Sequence, residues 1–156
     1  MNNIFELSEN GQTLLKCLDK NIVEATIPNG VTIIWEYAFF ECTSLQSIVI
    51  PDSVTKIDYN AFSRCTSLQN IVIPKSVLKI EFNAFLQCTS LQNIDIRNGE
   101  TIIEGNAFED TLWYNNQPDG IIYLGNCLYK YKGNMSLQDT NVCIKNGTIT
   151  ISNEAF

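Results

Sequence analysis

Three cysteines, Cys42, Cys65 and Cys88, follow one another at intervals of 23 residues. If the chain winds into stacked turns of that length, the thiols form a ladder with about one inter-strand spacing between neighbours, which would suit a soft metal ion or redox chemistry. The alternative is that cysteine is a small buried hydrophobic residue that fills the same niche in every turn. We favour this second interpretation because the surrounding sequence offers no convincing base or cation to form a thiolate.

Other groups that support catalysis are scarce. The chain contains no histidine, which excludes Ser-His-Asp and Cys-His catalysis and removes the commonest nitrogen ligand of zinc and copper. Acidic residues such as Asp58, Glu81 and Glu104 form no metal-binding loop motif, and we interpret them as solvated surface. The sequence therefore predicts a protein that is not an enzyme and has no catalytic residue, metal site or cofactor.

Composition and charge narrow the class of partner. The 156 residues are 45% hydrophobic and carry a formal charge of -7, from 17 acidic and 10 basic residues. Such a chain is long enough for one folded domain, and its negative field disfavours phosphate backbones. No apolar run reaches about 18 residues, and the opening residues lack secretory-signal features. We expect no nucleic-acid partner and no membrane insertion, while the localisation stays unknown.

An internal repeat supplies the elements that would position these residues. An Ala-Phe pair recurs every 23 residues, and leucine and isoleucine positions keep the same step; the pairs begin at Ala38, Ala61, Ala84 and Ala107. A period of this length lies in the range of leucine-rich repeat coils. No single coil can bury its own apolar side, so we expect neighbouring coils to stack and share a core.

The register within one coil follows from alternation. Leu45, Ile48 and Ile50 match inward positions of a strand, which leaves Ser47 and Val49 on the opposite face. The segment SVTKI after this strand predicts a short extended return along the far side, and YNAFSRC predicts one or two helical turns. The predicted fold is thus a strand-dominated α/β leucine-rich repeat solenoid with a parallel sheet, short helical turns and hairpin caps.

The repeated unit resembles the BspA-type leucine-rich repeat family. Its pattern AFxxCxxLxxIxIPxSVxxI is present almost letter for letter at 38–57 and 61–80, and the next unit departs from it at 97–100. The resemblance is strong over residues 23–113. It implies a bacterial cell-surface or secreted protein of adhesin type that binds host matrix or other cell-surface proteins.

Two hairpins flank the array. Alternating apolar segments around Asn10-Gly11 predict an N-terminal hairpin cap over residues 1–22, with Phe5, Leu7, Leu14 and Leu15 as lid residues. Gly125-Asn126 marks a second hairpin with similar spacing, so we expect the array at 23–113 to be followed, over 114–156, by a hairpin and the start of a further coil. Because the last Ala-Phe pair stands at 155–156, we hypothesise that the chain is a fragment of a longer protein.

Two surfaces are candidates for binding. The first is the outward face of the predicted sheet, with the residues Ser47, Val49, Asn70, Val72, Asn93 and Asp95; its asparagines are either a recognition row or a ladder that satisfies itself. The second is a set of aromatic residues, Tyr59, Phe82, Trp113, Tyr114, Tyr123, Tyr129 and Tyr131. Tyr59 and Phe82 would stack on neighbouring coils, either exposed or packed against the stack. The hairpin aromatics would either grip a protein or glycan or pack onto the coils.

Size limits what such a face can do alone. Four coils give a sheet face of roughly 400 Å², about half of what each partner contributes to a standard interface. We therefore expect a non-catalytic protein-interaction module that binds its protein partner weakly and gains affinity from further coils or multivalency. The alternative is a structural spacer or intracellular scaffold without a specific ligand.

Overall fold

The chain winds into stacked coils between an N-terminal and a C-terminal hairpin. A computed structural model describes residues 4–134 and 143–156. The strands are β1 Phe5–Leu7, β2 Thr13–Cys17, β3 Glu24–Thr26, β4 Ile33–Ile34, β5 Ser47–Val49, β6 Lys56–Ile57, β7 Asn70–Ile73, β8 Lys79–Ile80, β9 Asn93–Ile96, β10 Ile102–Ile103, β11 Gly120–Leu124, β12 Cys127–Lys132 and β13 Thr150–Ile151, and the single helix of the described residues is α1 Leu112–Asn115. This strand-dominated solenoid confirms the predicted fold.

The longest sheet lies on the side opposite the leucine-rich strands. It has six strands in the order β1-β2-β4-β6-β8-β10, and all pairs are parallel except the hairpin pair β1–β2. The leucine-rich side, which we call the front face, forms two separate pairs, β3–β5 and β7–β9. The parallel pairing that the sequence predicts for the front strands is thus present, but it is divided into two pairs.

Proline contributes to this break in the front face. Pro51 and Pro74 follow β5 and β7, and a proline has no N–H to donate to the preceding coil. Arg97 occupies the same position one coil later, and its N–H does donate to the Ile73 carbonyl at 3.1 Å. The front strands are thus paired most extensively between β7 and β9.

The Ala-Phe segments are hydrogen-bonded turns rather than the helical turns that the sequence predicts. Each carries two residues with positive φ, among them Asn60 at 53° and Arg64 at 62°. These conformations point backbone groups along the stack, so the Phe62 N–H donates to the Ala84 carbonyl of the next coil at 2.8 Å. The third side of each coil is therefore held to its neighbour by main-chain bonds, as the strands are.

A column of phenylalanines runs through the core. Phe39, Phe62, Phe85 and Phe108 are fully buried, and consecutive rings stack with centroids 4.9 to 5.0 Å apart. At the N-terminal end, Phe5 of the first hairpin meets the column edge-on, with its ring centroid 5.9 Å from that of Phe39. The repeated Ala-Phe pairs therefore supply one continuous aromatic spine rather than separate local contacts.

The two hairpins join their following coils in the same way. In the first, Cys17 and Trp35 donate backbone bonds to Ala38 and Leu14. In the second, equivalent bonds run from Tyr131 to Ala155 and from Ser152 to Leu128, and both hairpins carry a register irregularity at the same point of their first strand. This correspondence supports the proposal that a second hairpin-and-coil unit begins near the end of the array, with the divisions 1–22, 23–113 and 114–156.

Candidate functional site

The front face presents the predicted row of outward side chains. Val49 is 59% exposed and Val72 41% exposed, and Ser47, Asn70, Asn93 and Asp95 are also exposed. The Asn93 amide donates to the Asn70 side-chain oxygen at 2.6 Å, and Arg97 pairs with Asp95 at 3.3 Å. The polar residues of this row therefore satisfy much of one another's hydrogen bonding, whereas Val49 and Val72 expose apolar side chains that take no part in it.

A cleft opens where the front face is interrupted. It has a volume of about 280 Å³ and is lined by Ile48, Val49, Ile50, Asp52, Val72, Pro74 and Arg97. Its walls are mainly aliphatic, and Asp52 and Arg97 place one charge of each sign beside them. The cleft is too small for a typical drug-sized ligand, but it suits one large side chain of a partner protein.

The aromatic residues of the coils are arranged differently from the prediction. Tyr59 is exposed, but it packs edge-on against Tyr37 with ring centroids 6.4 Å apart. Within the described residues, no close ring pair joins Tyr59 to Phe82, which is half-buried, so the predicted stacking of these two rings was wrong. Trp35 and Tyr37, which the sequence analysis did not single out, are exposed on the first coil.

Three of the five aromatic residues proposed around the second hairpin are packing residues. Tyr114 and Tyr129 are buried, and Trp113 packs against the core with its ring centroid 6.2 Å from that of Phe108. Tyr123 and Tyr131 keep partial exposure. Burial thus favours packing for Trp113, Tyr114 and Tyr129, while a binding role for the other two stays a prediction.

Lysines hold the second hairpin against the array. Lys130 contacts Asn106 and Glu109 of the last full coil, and the Lys132 ammonium donates to the Tyr114 carbonyl at 3.1 Å. Lys132 also donates to the Asn115 and Gln117 carbonyls, at 2.8 and 2.6 Å, so it caps the C-terminal end of α1. Charge as well as aromatic packing therefore fixes the hairpin.

The hydroxyl of Tyr129 gives this docking a direct test. It accepts the Phe108 N–H at 2.8 Å in a buried site, and burial raises the pKa of the phenol above its usual range. We expect Tyr129→Phe to lower the free energy of unfolding by about 1 to 3 kcal/mol, because it leaves a buried N–H without a partner. Urea denaturation measures this. Tyr131→Phe is the matched control, and an equal loss in both variants would contradict the assignment.

The repeated cysteines Cys42, Cys65 and Cys88 form a buried column of free thiols. The Cys65 and Cys88 thiols donate to the carbonyls of Phe39 and Phe62 in the preceding coils, at 3.2 and 3.1 Å. Thr111 takes the next position, where its hydroxyl donates to the Phe108 carbonyl at 2.8 Å and caps α1. These bonds support the interpretation that the repeated cysteines serve packing.

One feature of this column was missed in the sequence. Lys20 lies 3.9 Å from the Cys42 sulfur, so a cation does stand beside the thiols. A hydrogen bond with Cys42 lowers the pKa of Cys17 to about 7, whereas the same contact and burial raise the pKa of Cys42. Cys17 is fully buried, so this thiol is not accessible to a substrate.

The acidic residues at one position of each coil are aligned rather than scattered. On the six-stranded sheet, Lys56 lies 3.1 Å from both Asp58 and Glu81, and Lys79 lies 3.1 Å from both Glu81 and Glu104. The Lys79 ammonium donates hydrogen bonds to Glu81 and Glu104, and these bonds raise its pKa. The prediction that the three acids are simply solvated was wrong, since they form a structural ion-pair ladder across the coils.

A second surface cavity, which we call the threonine groove, was also missed in the sequence. It has a volume of about 570 Å³ and is lined by Glu41, Thr43, Arg64, Thr66, Gln87, Thr89, Asp110 and Asn115. Arg64 donates to Glu41 at 2.9 Å and to Gln87 at 3.1 Å, which links three coils. The signal was present in the sequence, because each row of this lining repeats every 23 residues.

The described residues contain no group of three or more histidine, cysteine, aspartate or glutamate side chains that could hold a metal ion. Across 4–134 and 143–156, no helix has the length and apolar character needed to span a bilayer.

Comparison with known proteins identifies the repeat. Residues 16–136 match the BspA type leucine rich repeat region, in six copies. The chain belongs to this family. Among curated proteins, none matches the chain significantly.

Solved leucine-rich repeat structures share the fold. A leucine rich cell surface protein from Faecalibacterium prausnitzii A2-165 is 26% identical, with a TM-score of 0.54 over 70% of this chain and 36% of its own. A leucine-rich repeat protein from Bacteroides ovatus ATCC 8483 is 27% identical, with a TM-score of 0.50 over 67% of this chain and 33% of its own. The leucine rich repeat protein of T. pallidum is 24% identical, with a TM-score of 0.54 over 69% and 64%. The BspA-type chain thus spans between one third and two thirds of these relatives.

Proposed function

We propose that this BspA-type protein is a non-catalytic interaction module of a bacterial cell-surface or secreted protein, and that its front face binds another protein. The family and its solved relatives support a repeat protein that mediates protein interactions. The printed description of the F. prausnitzii relative as a cell surface protein supports the location. Host matrix proteins and proteins of other cells are the proposed partners.

The aliphatic cleft is the observation that carries this proposal. Interfaces draw most of their binding free energy from a few buried anchors that enter fitted pockets. Val49 and Val72 are exposed aliphatic side chains in an otherwise polar row, and the cleft between their strands offers such a pocket. Ser47, Asn70 and Asn93 then form a polar rim of the kind that surrounds an interface core.

The affinity of one module is expected to be modest. The front strands cover roughly 400 Å², about half the area that each partner contributes to a standard stable interface. The relatives contain longer chains than this one, and several modules acting together would raise the apparent affinity through multivalency. A protein that carries several copies of such a weak site is suited to adhesion.

A binding experiment with paired variants tests the front face. Collagen, laminin and fibronectin are immobilised, and the wild-type protein is passed over them in surface plasmon resonance. We expect binding to at least one with a Kd of about 10 µM or weaker. Val49→Asp should weaken it at least tenfold, because a carboxylate beside the cleft opposes apolar docking.

Leu78→Asp is the matched control, because Leu78 is also an exposed aliphatic residue and precedes β8 of the opposite sheet. Equal weakening by both variants would place the binding surface elsewhere. Absence of binding to every protein would favour the structural spacer.

A further inference from the structure

The threonine groove has a fixed shape before any ligand arrives. Its outer row, Glu41, Arg64 and Gln87, stands on backbone with positive φ, and each of these residues donates its N–H to a carbonyl of the next coil, at 3.0, 2.8 and 3.0 Å. The Arg64 guanidinium lies 5.7 Å from the centre of the Phe40 ring and is held by both neighbours in its row. A ligand would therefore meet a row whose backbone is held by bonds between coils and whose three side chains are paired with one another.

The inner row offers hydroxyl groups without partners. Thr32 and Thr55, on another side of the coils, donate to backbone carbonyls, whereas the hydroxyls of Thr43, Thr66 and Thr89 have no hydrogen-bond partner within the described part of the chain. A threonine hydroxyl both donates and accepts. The groove thus repeats one free donor and acceptor per coil, at the coil step of 4.9 to 5.0 Å seen in the phenylalanine column.

The charges of the groove exclude an anionic ligand. Glu41 and Asp110 carry two carboxylates, while the one cation of the lining, Arg64, is already paired with Glu41. The two carboxylates are three coil steps apart, so they do not converge on a metal ion. The groove therefore favours a neutral ligand rich in hydrogen-bonding groups.

The step along the groove separates a sugar chain from a peptide. An extended peptide repeats its side chains on one face at about 6.6 Å, which does not match the coil step. A pyranose ring is about as long as one coil step, and its hydroxyls can bond to the hydroxyl, amide and carboxylate groups of the lining. The volume of about 570 Å³ lies within the range of small-ligand sites and suits two or three sugar rings.

We propose that the threonine groove is a binding site for a short neutral oligosaccharide that lies along the stack of coils. The hydroxyls of the sugar would bond on one side to the threonine row, Thr43, Thr66 and Thr89. On the other side they would bond to the row Glu41, Arg64 and Gln87. At the C-terminal end, Asn115 of α1 closes the groove. This site lies apart from the cleft of the front face, so the two proposals are independent.

Three neutral trisaccharides, cellotriose, maltotriose and triacetylchitotriose, serve as probes in saturation-transfer NMR and calorimetric titration. At least one is expected to bind with a Kd of about 1 mM or tighter, and the anionic trisaccharide 3′-sialyllactose is expected to bind at least tenfold more weakly. The double variant Thr66→Val, Thr89→Val keeps the side-chain shape and removes two hydroxyls, and it should weaken binding at least tenfold. Thr26→Val changes an exposed threonine on β3, outside the groove, and should leave the Kd unchanged.

Thermal unfolding checks that each variant keeps the wild-type fold. Because a Kd of about 1 mM is expected, the absence of binding by all three trisaccharides at about 10 mM would overturn the proposal. An unchanged Kd in the double variant, or capture of a short peptide in this groove that no trisaccharide displaces, would overturn it as well.

Discussion

Phe62→Ala should lower the free energy of unfolding by about 3 to 5 kcal/mol, the range for truncating a fully buried phenylalanine. Phe62 is buried in the middle of the phenylalanine column, where its ring stacks on Phe39 on one side and on Phe85 on the other. Removal of the ring leaves a cavity between two coils and breaks the column in two. Urea denaturation followed by circular dichroism gives the change.

Phe40→Ala is the matched control, because Phe40 is the same residue type in the same kind of turn, but its side chain is only half-buried. Its truncation should cost about 1 kcal/mol or less. If both variants lose the same stability, or if Phe62→Ala loses less than about 1 kcal/mol, the aromatic spine does not hold the coils together.

Ile73→Ala should cost about 2 to 5 kcal/mol, since Ile73 is fully buried at the end of β7. Its neighbour Val72 points to the exposed side of the same strand, so Val72→Ala should change the free energy of unfolding by about 0.5 kcal/mol or less. The same denaturation experiment measures both. A larger loss for Val72→Ala than for Ile73→Ala would mean that the inward register of the front strands is reversed.

Periodicity made the coils and their register predictable. A 23-residue step that places leucine, isoleucine and Ala-Phe at fixed positions fits one strand register, and Leu45, Leu68 and Leu91 are all fully buried as that register requires. Asn10-Gly11 and Gly125-Asn126 were sufficient to locate both hairpins. Each of these inferences depends on residues close in sequence or on a strict repeat.

The turns were mispredicted because their conformation is encoded weakly. Asparagine accepts the left-handed region more readily than most residues, so the row Asn60, Asn83 and Asn106 was a usable signal. Tyr37 and Arg64 adopt positive φ as well, and nothing in their residue type indicates it. At these positions the hydrogen bonds between coils override the backbone preference of the residue. The threonine groove was missed for the same reason, because these turns project part of its lining.

The short extended return predicted for SVTKI is present as β6, but that these returns build the longest sheet was beyond sequence reasoning. Its strands are mostly only two residues long, as in Lys56–Ile57 and Lys79–Ile80, which is too short for alternation to identify. Their pairing follows from stacking, since each coil presents the same extended pair to the next. The ion-pair ladder of Asp58, Glu81 and Glu104 is a consequence of that stacking.

Scalar couplings measured by NMR across hydrogen bonds test the stacked-coil account most directly. We expect the amide nitrogen of Phe62 to couple to the carbonyl carbon of Ala84, and that of Phe85 to couple to Ala107, because these N–H groups donate at 2.8 and 2.7 Å to the next coil. Couplings from the same amides to carbonyls of their own coil would show helical turns instead, and would contradict the account.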